Sequence, residues 1–502
     1  MASITVDLRQ RIGTVDRAIF GGFIEHIGRC IYGGVFDEGS ALSDSRGFRR
    51  DVLDALRPLR ISVLRWPGGM FVNRYHWIDG VGSQDVRPRR MELVWHAEES
   101  NRFGTDEFIA YCRELGAEPL IVVNMGTGTI DEAQAWVEYC NGTGNTQWAS
   151  LRRRHGHDEP YGVKYWGLGN ETVMYGTWQG GSMSPEEYVS KARQFAAVMK
   201  WTDPSIRLVS CGQQGWNEWD KVVIDGLIDI VDYHGLQFFT GSPDYYTNVF
   251  HPHQAERALR ICEALIERAR YASRIERPVY VAFNEWNVWF RERRGGLEER
   301  YSLTDALAVA TLLNIFIRHC RSVRMAHLTQ LVNAMAPIVT DPSGIFLQTI
   351  YHAFRLYAEH TREVALDVWV DSETHAFGPG EEDLSVRPHR IANLSPFPLL
   401  DVSATCDAEE SELTLGVVNR ARGRPIAAAI RVAGRRLESP LQASELTHDD
   451  PDVLNSFEHP GAVAVHERRV EHDGADPVTY EFPPHSITVL RVSLRRPAVA
   501  FS

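Results

Sequence analysis

Short apolar runs alternate with amphipathic segments along the first two thirds of the chain. Segments such as His253–Arg270 carry apolar residues at helical spacing. Eight intervening runs have the length and the β-branched or aromatic content of strands. This alternation predicts a parallel α/β fold, and the count of eight favours a closed (β/α)8 TIM barrel over an open sheet. The predicted strands lie at residues 18–26, 61–66, 119–125, 163–169, 206–211, 231–239, 279–285 and 327–333.

The pattern changes after about residue 361. Helical spacing disappears, and short alternating runs such as residues 412–420 and 486–494 follow one another with turn residues between them. This pattern is typical of an all-β sandwich, here of jelly-roll type. Residues 2–9 alternate in the same way although they precede the barrel, so we expect this strand to complete the sandwich. The predicted segments are an N-terminal strand (1–16), a catalytic barrel (17–361) and a β-sandwich (362–502).

Composition narrows the classes of partner and compartment. The formal net charge of −13 argues against nucleic acid or an anionic membrane as partner. No apolar run approaches the roughly 18 residues of a spanning helix, and the first residues lack the apolar segment of a secretory signal. The seven cysteines are scattered and include no C-x-x-C, which predicts reduced, mostly buried thiols in a cytoplasmic protein.

Two predicted strands end in the same dipeptide, Asn170-Glu171 and Asn284-Glu285. One glutamate at a strand end is more often a salt-bridge partner or a solvated acid. In a parallel barrel, however, strand ends open onto one pocket, which favours a catalytic pair. A retaining glycosidase needs two carboxyl groups about 5–5.5 Å apart. One stays protonated and donates to the leaving oxygen, and the other stays ionised and attacks.

Two other patterns are weaker signals. Gly126-Thr127-Gly128 follows a strand as in a dinucleotide site, but Asp131 stands where the third glycine belongs. The histidine pairs at 155–157 and 251–253 lack a third ligand at suitable spacing. We therefore predict no cofactor and no metal.

Seven segments carry a resemblance to a known family, namely GGFIEHIGRCIYGGVFD, LRWPGG, ESNRFGTDEF, YWGLGNE, VDYH, NEWNVW and TDPSGIFLQTIYHAF. Through them the chain resembles glycoside hydrolase family 51, the α-L-arabinofuranosidases, over essentially its full length. The resemblance implies the same barrel joined to a sandwich, and retaining exo-hydrolysis of terminal α-L-arabinofuranosides. It implies that Glu171 is the general acid/base and that Glu285 is the nucleophile.

The resemblance also implies a sugar pocket and an assembly. Glu25 and Asn170 match positions that hydrogen-bond the furanose ring, and Gln348 matches a further polar contact. Trp289 resembles an aromatic wall of the pocket, with a simple packing role as the alternative. The implied substrate is an arabinose-containing oligosaccharide or a related furanoside, and the implied assembly is a homo-oligomer, as a hexamer.

This chain departs from the family pattern around the expected sugar. Met70 stands where an asparagine is usual, and Gln237 and Phe239 replace a histidine and a tyrosine. The segment after Glu171 also carries two residues beyond the usual spacing. These changes leave open a different glycone, such as a galactofuranoside or a modified pentofuranoside. They also leave open a carbohydrate-binding protein with little turnover, although a pure binder has no need of an acid/base.

Overall fold

The computed structural model describes residues 1–171, 183–291, 297–385, 390–474 and 476–495. The strands of this part of the chain are β1 (Ala2–Thr14), β2 (Gly21–Phe23), β3 (Val63–Trp66), β4 (Arg90–Glu92), β5 (Ala97–Glu99), β6 (Glu118–Val123), β7 (Tyr165–Leu168), β8 (Arg207–Ser210), β9 (Tyr233–Thr240), β10 (Tyr280–Val288), β11 (Val323–Thr329), β12 (Ile338–Asp341), β13 (Gly344–Leu347), β14 (Val364–Asp371), β15 (Thr374–His375), β16 (Phe397–Pro398), β17 (Leu400–Cys406), β18 (Glu412–Asn419), β19 (Ile426–Val432), β20 (Arg436–Leu437), β21 (Leu441–Leu446), β22 (Val465–Val470), β23 (Val478–Phe482) and β24 (Ser486–Arg495).

Two of the α-helices begin with a serine cap. Ser184 and Ser302 each accept a hydrogen bond from the main-chain N–H three residues later, which satisfies a donor that the helix itself leaves free. The helices of the described residues are α1 (Arg50–Leu56), α2 (Thr105–Leu115), α3 (Ile130–Asn141), α4 (Gln147–Arg154), α5 (Pro185–Thr202), α6 (Glu218–Leu227), α7 (Tyr245–Phe250), α8 (Pro252–Ser273), α9 (Leu303–Arg318) and α10 (Thr349–His360). None of them is long and apolar enough to cross a membrane.

Eight strands close into a parallel barrel in the order β2, β3, β6, β7, β8, β9, β10 and β11, which confirms the predicted fold class. The first strand is shorter than predicted because residues 17–20 form a 3-10 turn, capped by the Asp16 carboxylate. The eighth begins at Val323, four residues before the predicted start. Its first half was missed because Arg324 interrupts the apolar run, and the side chain of that arginine reaches outward to the carbonyl of Thr14.

The predicted all-β domain is also confirmed, including its N-terminal strand. β1 pairs antiparallel with β14 and parallel with β19, within a sheet of ten strands. The two outer strands of that sheet, β22 and β23, line one cavity together. Across it the hydroxyl of Tyr480 donates to Glu445 on β21 at 2.8 Å, so the sheet curls back on itself as a sandwich does. The domain boundaries at residues 16 and 361 stay a prediction.

A buried polar contact joins the barrel to the β-domain. Asn314 on α9 donates to the Asp401 carboxylate on β17 at 2.8 Å and accepts from the Ser403 hydroxyl at 2.6 Å. Arg318, one helical turn further on, lies 3.2 Å from the same carboxylate. These groups satisfy one another where water is excluded, as buried polar side chains must. The seven cysteines are free and buried, as expected.

Candidate active site

The ends of the barrel strands bring Glu25, Asn170 and Glu285 together around Gly69. A β-carbon at Gly69 would lie 3.2 Å from Glu25 Oε2, 3.3 Å from Glu285 Oε1 and 3.4 Å from Asn170 Nδ2. These contacts are tight for any larger residue, so glycine lets the main chain approach all three polar groups. The C-terminal mouth of the barrel therefore carries a polar cluster, at the face where such folds place their chemistry.

An irregularity in β10 aims Glu285 into this cluster. Phe283 pairs with Leu236 on β9, but Glu285 pairs with the very next residue, Gln237. Asn284 is thus an extra residue in β10, the arrangement of a β-bulge. The Phe283 ring packs outward on Phe316, with ring centroids 4.6 Å apart. The bulge therefore places Glu285 beside Gln237 while Phe283 stays in the core.

Arg65 on β3 supplies the positive charge of the site. Its guanidinium is 1% exposed, and Nη1 donates to Glu285 Oε1 at 3.0 Å. Nη2 donates to Asn170 Oδ1 at 2.6 Å. An ionised carboxylate at Glu285 therefore faces a buried cation, the condition under which a buried charge is tolerated.

Glu171 is the last described residue before a gap, and it follows Asn170 at the end of β7. Its backbone has a φ of +46°, a left-handed conformation that is uncommon for a residue other than glycine and is often found at functional sites. Burial, followed by the negative charges of Glu285 and Glu25, raises the pKa of Glu171 well above its usual range. A protonated carboxyl is what a general acid requires. The two extra residues predicted after Glu171 lie outside the described residues.

Glu25 is buried beside the same cluster. Its Oε2 accepts from Gln330 Nε2 at 2.9 Å, and its Oε1 accepts from the main-chain N–H of Phe71 at 3.4 Å. Burial and then the negative charge of Glu285 raise the pKa of Glu25 to about 8. Glu25 is therefore mostly protonated at neutral pH, and its hydroxyl can act as a hydrogen-bond donor.

The substituted positions lie close to this cluster along the chain. Met70 follows Gly69 directly and is half-buried. Phe239 lies two residues beyond Gln237 on β9, and its ring packs edge-on against Trp289 with centroids 5.5 Å apart. Both rings are half-buried. The mouth of the barrel thus has an apolar side as well as a polar cluster.

Gln348 is occupied by main-chain groups. Its amide donates to the carbonyls of Glu299 and Ala336 at 2.9 and 2.7 Å, and its oxygen accepts from Tyr301 N at 3.0 Å. These bonds join three chain segments at the start of α10. A contact between Gln348 and a sugar stays a prediction.

Three residues of the site were missed in the sequence, namely Arg65, Asn73 and Gln330. Asn73 Nδ2 donates to the Asn170 carbonyl at 2.9 Å and so holds the turn that carries Glu171. Arg65 interrupts the apolar run VLRW, and Gln330 follows the eighth strand. A polar residue in or beside a buried strand was the available signal, but only its neighbours in space reveal what it binds.

Known proteins resemble this chain along nearly all of its length. The family model described as "Alpha-L-arabinofuranosidase 1 domain" matches residues 55–250, and that described as "Alpha-L-arabinofuranosidase C-terminal domain" matches residues 284–486. A probable α-L-arabinofuranosidase C of Aspergillus flavus is 42% identical, with 97% of each chain covered. The intracellular exo-α-(1→5)-L-arabinofuranosidase of Streptomyces lividans is 35% identical over 93% of this chain and 71% of its own length.

Solved structures agree with these relatives. The thermostable family 51 α-L-arabinofuranosidase of Thermotoga petrophila is 40% identical and superposes with a TM-score of 0.89, covering 98% of this chain and all of its own. Its similarity thus spans both the barrel and the β-domain. The chain therefore belongs to glycoside hydrolase family 51, the α-L-arabinofuranosidases, and is a glycoside hydrolase.

Proposed function

We propose that the chain is a retaining exo-glycosidase that hydrolyses non-reducing terminal α-L-arabinofuranosides. One observation carries the assignment of roles. Glu285 faces the Arg65 guanidinium at 3.0 Å, whereas burial and two neighbouring carboxylates raise the pKa of Glu171. Two carboxyl groups with opposite environments suit opposite roles, so Glu285 is the nucleophile and Glu171 is the acid/base.

The proposed reaction proceeds by two displacements. First, a carboxylate oxygen of Glu285 bonds to the anomeric carbon as the bond to the leaving oxygen breaks and that oxygen takes the proton of Glu171. Glu171, now a carboxylate, then takes a proton from water as the water oxygen attacks the same carbon, and the bond between that carbon and Glu285 breaks with its electron pair returning to the Glu285 carboxylate. Arabinose leaves with its original anomeric configuration, and both glutamates return to their starting states.

Two polar groups are suited to hold the sugar. Asn170 Nδ2 is buried and has no hydrogen-bond partner among the residues that the structure describes. A buried donor without a partner is costly, and a sugar hydroxyl would satisfy it. The protonated Glu25 carboxyl offers a second donor near Gly69.

A cavity next to the polar cluster has room for the leaving group. A cavity of about 200 Å³ is lined by Phe71 and Tyr75 and by residues of the β4–β5 hairpin. Phe71 also donates its main-chain N–H to Glu25, so the same residue lines the cavity and contacts the polar cluster. We assign it to the rest of an arabinose-containing oligosaccharide.

A second candidate within the same mechanism is another furanoside. The half-buried Met70 and the Phe239–Trp289 pair favour a galactofuranoside or a modified pentofuranoside with an apolar or bulkier group on that side. A binding protein with little turnover is the third candidate, which the contrasting surroundings of Glu171 and Glu285 disfavour.

Location and assembly complete the proposal. We place the protein in the cytoplasm, supported by its buried free cysteines and by the Streptomyces relative that is named intracellular. We also propose a homo-oligomer, as a hexamer, on the family resemblance.

A panel of nitrophenyl glycosides tests this function. We expect the highest kcat/KM on α-L-arabinofuranoside, lower values on galactofuranoside and xylofuranoside, and none on the arabinopyranoside that controls for ring size. NMR of the first product should show the α anomer retained. Inversion would exclude double displacement, and sugar binding without turnover on any furanoside would favour the binder.

A further inference from the structure

One side-chain amide touches both residues that face the expected sugar. Gln237 Nε2 donates to Glu285 Oε1 at 3.1 Å and to Asn170 Oδ1 at 3.0 Å. The Gln237 backbone is fixed by its pairing with β10 and by a hydrogen bond from its N–H to the Gln213 carbonyl at 2.7 Å. The amide is therefore held in place from a rigid strand.

This contact distinguishes the two oxygens of Glu285. Oε1 accepts from both Gln237 and Arg65, at 3.1 and 3.0 Å. Oε2 has no such donor among the hydrogen bonds of the described residues. The two donors occupy lone pairs of Oε1, so Oε2 is the oxygen whose lone pairs stay free to bond to carbon.

The same contact fixes the orientation of Asn170. Its Oδ1 accepts from Gln237 and also from Arg65 Nη2 at 2.6 Å. A flipped amide would place N–H groups against two donors, which is unfavourable. The Nδ2 end of the Asn170 amide therefore stays available to the sugar, and it is buried without a hydrogen-bond partner among the described residues.

We propose that Gln237 is a positioning residue that selects Oε2 of Glu285 as the attacking atom and presents Nδ2 of Asn170 to the sugar. This inference rests on the proposed function. In the first displacement the new bond joins Oε2 to the anomeric carbon as the bond from that carbon to the leaving oxygen breaks, and the leaving oxygen takes the Glu171 proton. Because an amide does not titrate, both contacts persist across the working pH range.

Two variants test this role in the full-length enzyme with a dinitrophenyl arabinofuranoside, whose good leaving group isolates attack by Glu285. Gln237→Leu keeps the bulk and removes the donor, and we expect kcat/KM to fall about 10- to 100-fold. Gln237→Glu adds a fourth carboxyl group to the barrel mouth and sets it against Glu285 Oε1, so the acidic limb of the pH profile should move to higher pH by about one unit. A purely structural role would lower Tm without moving this limb.

Gln134→Leu is the matched control. Gln134 is half-buried on α3, and its amide donates to the Glu138 carboxylate at 3.0 Å. The Gln134→Leu variant therefore loses an amide-to-carboxylate hydrogen bond, as Gln237→Leu does, but away from the barrel mouth. We expect its rate to stay within about twofold of the wild type, as for a surface substitution. Wild-type turnover together with unchanged rates and pH profiles in both Gln237 variants would overturn the inference and leave the proposed function standing.

A measurement without substrate separates the two claims. Carbon-13 NMR of labelled glutamate carboxyls at one fixed pH, with Glu285 assigned through Glu285→Gln, follows the chemical shift of the Glu285 carboxyl carbon. We expect that chemical shift to change in Gln237→Leu relative to the wild type, because Oε1 loses one hydrogen-bond donor, and to stay unchanged in Gln134→Leu. An unchanged chemical shift in Gln237→Leu would overturn the role of Gln237 even if the wild type hydrolysed no furanoside.

Discussion

Three glutamates and one buried arginine share the mouth of the barrel. The charge of Arg65 can compensate one carboxylate, which is Glu285 at 3.0 Å. The pKa values of the other two, Glu25 and Glu171, are raised by burial and by their acidic neighbours. Burial and the mutual repulsion of close carboxylates thus give the three glutamates different environments.

Substitution of Glu285 and Glu171 should give different losses. Glu285→Ala should abolish turnover of every substrate, because no covalent intermediate can form. Glu171→Ala should keep the first step on dinitrophenyl substrates and then accumulate the glycosyl-enzyme, which azide should release. Stopped-flow kinetics and mass spectrometry of the intermediate provide the measurement. Near-normal rates in both variants would contradict the assignment.

Sugar affinity should depend on the protonation of Glu25. The raised pKa of about 8 means that Glu25 donates below that pH and adds a negative charge above it. Arabinose binding, measured by calorimetry between about pH 6 and about pH 9, should therefore weaken as pH rises through about 8. Glu25→Gln should bind well and flatten this profile. The same decline in that variant would show that another group titrates.

The free energy of unfolding should also decrease as pH rises. The folded protein holds the Glu25 proton more tightly than the unfolded chain, whose pKa is near the ordinary 4.5. The free energy of unfolding therefore contains a contribution that is present below about pH 4.5 and is lost as pH rises through about 8. In denaturant unfolding, the Glu25→Gln variant should lose less of its free energy of unfolding over this pH range than the wild type does.

Met70 and Phe239 should lower activity on the usual arabinofuranoside. A sugar hydroxyl that faces a thioether or a phenyl ring loses a partner, at about 1–3 kcal/mol each. Two such losses, about 2–6 kcal/mol together, correspond to roughly one and a half to four and a half decades in kcat/KM. We expect the double variant Met70→Asn and Phe239→Tyr to regain activity in the same nitrophenyl assay. No gain, with full family-level activity in the wild type, would mean that other residues bind the sugar.

At the scale of elements, the bulge in β10 decides where Glu285 points. It depends on the neighbouring strand, because a β-carbon at Gly235 on β9 would lie 2.1 Å from Asn284 Nδ2 and 2.5 Å from the Ser210 carbonyl. Such distances are far below van der Waals contact. Glycine at position 235 therefore leaves the room that the extra residue of the bulge requires.

Gly235→Ala should consequently disturb both stability and catalysis. We expect overpacking to lower stability by about 1–3 kcal/mol. The displaced bulge should lower kcat/KM by about tenfold or more, because misplacement by about 1 Å already impairs catalysis. Thermal unfolding and kcat/KM are the measurements. Gly344→Ala on β13, where an added β-carbon meets nothing within 4 Å, is the control. Wild-type activity in Gly235→Ala would show that the bulge adapts.

At the scale of the whole molecule, large aromatic side chains remain on the outside of the single chain. Trp201, Tyr271 and Trp369 are 82%, 87% and 72% exposed. Aromatic residues are enriched where protein surfaces associate. They are consistent with the proposed assembly of several copies, without specifying its symmetry.

Light scattering tests that assembly directly. We expect a mass near six times 56.8 kDa for the hexamer, stable on dilution. A mass near 56.8 kDa over the accessible concentration range would exclude a homo-oligomer. An intermediate multiple would keep the oligomer and reject the hexamer.

The sequence by itself determined the architecture and singled out two glutamates as the catalytic candidates. Helical and strand periodicities are local properties, so the barrel and the β-domain could be predicted from neighbouring residues. Glu171 and Glu285 were identifiable as candidates because the ends of parallel barrel strands must converge on one face. Their separate roles were implied by the family resemblance, and those roles stay a prediction.

Only the tertiary structure decided how those carboxyl groups are held. Arg65 and Gln330 reach Glu285 and Glu25 across 220 and 305 residues of sequence, and no local pattern specifies such partners. Likewise, the sequence did not predict that the Gln348 amide donates to main-chain carbonyls. The bulge at Asn284 is visible only in the pairing of β9 with β10. Side-chain pattern sets which residues are buried, but the packing of distant segments sets which polar groups they meet there, and hence the chemistry of the site.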